Sequence, residues 1–205
     1  MPLRTIDPPI QAFEAVRAKI ANLAALAGFR TPALRRARPE AMALSTPHRT
    51  ALLRLDRLKG ADSLRRAAEP TGWRFLLHDG DRVVAAVEAQ TVATRAGPSE
   101  HRFGQVNEGP FTVATEQAIR RAEGLDQVKR GRYTPTFLLA PAIYVAAIWL
   151  EDEDGEADLV MPLAPAPPEL KPMEPMPARQ FLAVLRKLAD RVPPEDRRAK
   201  DPAGG

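Results

Sequence analysis

The longest apolar run of the chain extends from Thr134 to Leu150, breaks at Glu151-Asp152-Glu153-Asp154-Gly155-Glu156, and resumes as far as Leu163. Within it, Ile143, Val145, Ala147 and Trp149 alternate with Tyr144, Ala146, Ile148 and Leu150, so both sides of an extended segment are apolar. That pattern predicts a strand covered on both faces, an acidic turn and a returning strand at the centre of the fold. A second hairpin is expected from Trp73–Leu77 and Arg82–Val92. The intervening His78-Asp79-Gly80-Asp81 contains the Asp-Gly pair that suits turn positions with positive φ.

Helical spacing occurs three times. Ile10, Phe13, Val16, Ile20 and Leu23 follow Asp7-Pro8-Pro9, with Asp7 as the expected cap and Pro8 in the first helical position. Phe111, Ala114, Ala118, Ala122 and Leu125 follow Gly109-Pro110, and Phe181, Leu185, Leu188 and Val192 follow Pro177. Thr50–Leu58 carries both periods and is read as a strand, and Asp62–Ala68 as a short helix capped by Asp62. Ala93–Gln105 is polar and reads as a loop.

The fold expected is α+β: an antiparallel sheet built from two hairpins with packed helices, plus a basic Pro/Arg-rich arm and a Pro-rich connector. The expected divisions are an amphipathic helix in 1–29, a basic linker in 30–49, an α+β core in 50–163, the connector in 164–177, a last helix in 178–194 and a charged tail in 195–205. The connector rests on composition, since seven of the 21 prolines fall between Pro162 and Pro177.

Charge adds one feature. The net charge of +4 is uneven, because residues 1–70 carry 13 Lys/Arg against 6 Asp/Glu. The absence of cysteine excludes disulfides, thiolate metal sites and a cysteine nucleophile. No signal-peptide pattern opens the chain and no apolar run reaches the ~18 residues of a membrane span, so a cytoplasmic protein without membrane contact is expected. Heavy use of Ala, Arg and Pro points to a GC-rich bacterial coding sequence.

Catalytic motifs are missing. No Gly-x-Ser-x-Gly, phosphate-cradling glycine loop or dinucleotide fingerprint occurs. His48, His78 and His101 are the three histidines. A site of His78, Glu88 and His101, with His101 as base and Glu88 orienting it, is the one enzymatic arrangement the sequence offers. The acidic turn lacks the distal Glu of a calcium loop and suits a solvated hairpin tip, so no metal and no cofactor are expected. Arg30, Arg35, Arg36, Arg38 and Arg49 form the candidate binding surface. Three readings stay open for that arm: solvated surface, contact with an acidic protein, or phosphate binding without base stacking. The sequence thus favours a non-enzymatic accessory protein that binds a protein partner. The alternatives are a small enzyme using the His/Glu site, or nucleic-acid binding through the arm.

Overall fold

In the computed structural model, which describes residues 3–26, 28–29, 31–94, 97 and 99–193, most apolar runs form strands of one sheet. The strands are β1 (Met42–Leu53), β2 (Ala68–Asp79), β3 (Arg82–Val92), β4 (Glu100–Asn107), β5 (Tyr133–Ala140), β6 (Val145–Asp152), β7 (Leu159–Pro162) and β8 (Met176–Pro177). The helices are α1 (Ile10–Ala25), α2 (Pro32–Arg36), α3 (Leu55–Gly60), α4 (Leu64–Ala67), α5 (Pro110–Glu123), α6 (Asp126–Arg130) and α7 (Ala178–Asp190). The eight strands lie in the order β4-β3-β2-β1-β5-β6-β7-β8.

The fold is α+β as expected, but the sheet is mixed. β1 and β5 run parallel, Thr50 opposite Phe137, and every other neighbouring pair is antiparallel. The chain returns to β1 from the far side through α5 and α6, and a crossover of that length is what a parallel pair requires. The expected hairpins are β2–β3 and β6–β7. A further one, β5–β6, divides the segment read as a single strand. It turns at Pro141–Ile143 with Tyr144 at φ 54°. Tyr144 therefore faces solvent instead of joining the alternation, which holds from Val145 onward.

Several local expectations change. The stretch read as a linker contains α2, a 3-10 turn at Pro39–Ala41 and the first half of β1. Thr50–Leu58 is strand to Leu53 and helix from Leu55, so each period in it was genuine. The polar loop contains β4, an edge strand. Helix α1 begins at Ile10 after Pro9, later than the Asp7 cap implied, and α4 follows Ser63, not Asp62. The Pro-rich connector is pinned to the body: Leu170 is buried, and Met173 N–H donates to the Pro162 carbonyl. The tail from 195 lies outside the described residues.

Both faces of the sheet are covered. On the first face, Trp73, Phe75, Leu77, Ala85 and Val87 pack against Ala12, Val16 and Ile20 of α1. On the same face, Leu138, Ala147, Trp149 and Val160 meet Leu58, Leu64, Phe181 and Leu185 from α3, α4 and α7. On the second face, Phe137, Ile148, Leu150 and Met161 meet Ala114, Ala118 and Ile119 of α5. Helix α1 thus packs on its own sheet, and apolar burial of this kind stabilises by about 25 cal/mol per Å².

Candidate functional site

Three regions concentrate polar or accessible apolar groups. The first is a buried polar cluster on the second face. Arg74 is 2% exposed, although arginine is rarely buried without a partner. Its Nη1 donates to Glu88 Oε1, and its guanidinium lies 4.1 Å from the Phe137 ring centroid. Glu88 also accepts from Gln105 Nε2 at 3.0 Å and Asn107 Nδ2 at 2.9 Å. Burial pulls the Arg74 pKa below its usual value, opposed by Glu88. His48 lies opposite Arg74 in the β1–β2 ladder. Its Nδ1 is 2.7 Å from the Thr46 carbonyl oxygen, so that nitrogen carries the proton. Burial, with Arg74 adding to it, lowers the His48 pKa to about 4. A histidine held neutral this firmly is a poor proton acceptor near pH 7, where a base works best with a pKa near the working pH.

The proposed trio is not brought together. Glu88 is committed to Arg74 and its two amide donors. His101 Nδ1 sits 3.2 Å from Thr91 Oγ1. Thr91 lies three residues along β3 from Glu88, and alternation sends the two side chains to opposite faces. His78 is at the end of β2, opposite Ala43 of β1 and Val83 of β3, with Nε2 buried. Among the described residues no group of three His, Asp or Glu is placed to hold a metal.

The second region is the acidic turn. Asp158 binds Arg65 through both oxygens and accepts from Trp149 Nε1 at 3.1 Å and the Asp152 N–H at 2.8 Å. These bonds make Asp158 the anchor of the β6–β7 connection.

The third region is a groove on the first face, beside α1. Phe13, Ile20 and Ala21 form its helical wall, and Met42, Leu44 and Leu77 form its floor. Its volume is about 510 Å³, and Arg17 is the one charged residue among those lining it. Pro39 closes one side, which places the segment bearing Arg35, Arg36 and Arg38 next to it. Arg35 Nε donates to the Phe29 carbonyl at 3.0 Å, while Arg36 and Arg38 are exposed. Arg49 pairs with Trp73 across β1–β2, so it stands on the same sheet face as the groove. Arg30 lies outside the described residues.

Sequence reasoning found Phe13 and Ile20 as part of a buried stripe but placed Met42 and Leu44 in a linker, so the groove between them was not visible. His48 and Arg74 left no signal, since a lone basic residue in a strand gives no indication of its burial. No helix among the described residues is long and apolar enough to cross a membrane. No family model, curated protein or solved structure matches the chain.

Proposed function

We propose that this chain is a non-enzymatic bacterial accessory protein, working in the cytoplasm, that binds a protein partner through the groove beside α1. The observation that carries this reading is the apolar cavity of about 510 Å³ between α1 and the first half of β1. Sites for small molecules combine apolar walls with several placed polar groups that fix orientation. Here Arg17 is the one charged group in the lining, and Ala21 and Ala25 on the helical wall are exposed. An open apolar trough with a basic border suits a protein segment better than an enclosed metabolite.

The test places a photo-crosslinking residue at Ala21, on the accessible wall, and compares the full chain with Ala21→Arg in co-purification from the host. The reading requires one protein that crosslinks from position 21 and is lost from Ala21→Arg. A partner retained equally by Ala21→Arg, or no crosslink from position 21, refutes it.

A further inference from the structure

We propose that the groove receives an acidic amphipathic helix of the partner, apolar side down; this rests on the binding role assigned to the groove above. Length supports it first. The helical wall runs from Phe13 to Ala25. At 1.5 Å per residue that is about 18 Å, which accommodates roughly three turns of a guest helix with anchors at i, i+3 or i+4, and i+7.

Charge supports it second. The segment from Ile10 to Met42, which supplies the helical wall and the side, carries five Arg and one Lys against two Asp/Glu, and of these cations Lys19 lies over the Phe103 ring on the β4 side of α1. Exposed Arg17 lies in the lining, and Arg49 faces the same side of the sheet. Arginine recognises carboxylates with a planar two-point fork, so carboxylates flanking the apolar anchors would be matched at the border. A basic helix would meet like charge there. A second copy of this chain would bring the same positive α1 segment against itself, and a fatty acid would meet a single lining cation in an open trough.

The experiment is a peptide-display selection with 16-residue tiles of the host proteome as probe. It is run on the full chain and counter-selected on Ala21→Arg, with both proteins first shown to share a thermal midpoint. The expected winners have apolar residues at helical spacing and net negative flanks. They should bind at least about ten-fold more weakly to Arg17→Glu, and weaken when salt rises from about 50 to about 300 mM. Winners lost on Ala21→Arg but with neutral or basic flanks overturn the acidic-helix assignment and leave the binding role standing. Winners retained by Ala21→Arg, or no winners together with no crosslink from position 21, overturn both. Dodecanoate binding that Ala21→Arg abolishes, with no peptide selected, assigns the groove to a fatty acid. A dimer that Ala21→Arg dissociates assigns it to a second copy. Either result overturns the proposal.

Discussion

Acid should unfold this protein partly through one histidine. His48 is wholly buried, its Nδ1–H is committed to the Thr46 carbonyl, and its pKa is lowered to about 4, chiefly by burial. In the unfolded chain the ring titrates near the ordinary 6.5. Below pH 6.5 the unfolded state therefore takes up a proton that the folded state refuses, and stability is lost as pH falls towards 4. Each pH unit of that window costs about 1.4 kcal/mol, so the whole interval costs about 3 kcal/mol. The assay is urea denaturation of wild type and His48→Gln at half-unit steps from pH 7.5 to about 4. Carboxylates titrate in the lower part of this window in both proteins, so the informative quantity is the difference between the two stabilities. His48→Gln should be less stable than wild type at pH 7.5, and that deficit should shrink by about 3 kcal/mol on reaching pH 4. A difference that stays constant with pH would refute the reasoning, as would a His48 ring resonance titrating near 6.5 in the folded protein.

Three further outcomes follow from the same contacts. Glu88→Ala leaves the Arg74 guanidinium buried without its carboxylate and should cost about 3–5 kcal/mol in chemical denaturation; Arg74→Met together with Glu88→Ala should recover part of that loss, read as a double-mutant cycle with the two single variants. Asp158→Ala strips the Trp149 indole N–H of its acceptor and should cost about 1–3 kcal/mol, with a shift in tryptophan emission as the check. Gly72 has φ +151°, and a Cβ there would collide with the Ala89 carbonyl oxygen on the neighbouring strand. Gly72→Ala should therefore cost more than about 2 kcal/mol, measured as a lowered midpoint of thermal unfolding.

What the sequence displayed was whatever one segment decides alone. Asp79-Gly80 announced the β2–β3 turn, and the stripes of α1, α5 and α7 showed which sides would be buried. What it hid depended on partners distant in the chain. The parallel pairing of β1 with β5 leaves no local mark. β4 looked like a loop because an edge strand with one solvated side carries Glu100, Arg102 and Gln105. Pro47 sits at the irregularity between Ser45 and His48, where the ladder is already interrupted and a missing N–H costs little. The same blindness applied to the candidate site. The cations of the arm were visible as a cluster, whereas the apolar floor beside them required knowing that Met42 and Leu44 lie on the α1 side of the sheet.

That placement is itself a consequence of the irregularity at Thr46-Pro47. Leu44 pairs with Leu77 and faces α1, while Ser45 pairs with Leu76 on the other side. The ladder then resumes at His48 opposite Arg74, two residues of β1 having passed one residue of β2, with Thr46 at φ 51°. Such a bulge shifts the alternation by one. Even-numbered Met42 and Leu44 therefore share a face with odd-numbered Ala51 and Leu53, which lie under α3 and α7. Without the extra residue, the half of β1 beside α1 would present Ala43 and Ser45 on that face, and Leu44 would turn towards Arg74 and Glu88. The bulge thus does two things at once. It lays an apolar floor under the open space beside α1, and it puts His48 beside Arg74 on the opposite face. The groove and the buried polar cluster are, in this sense, the two sides of one irregular strand.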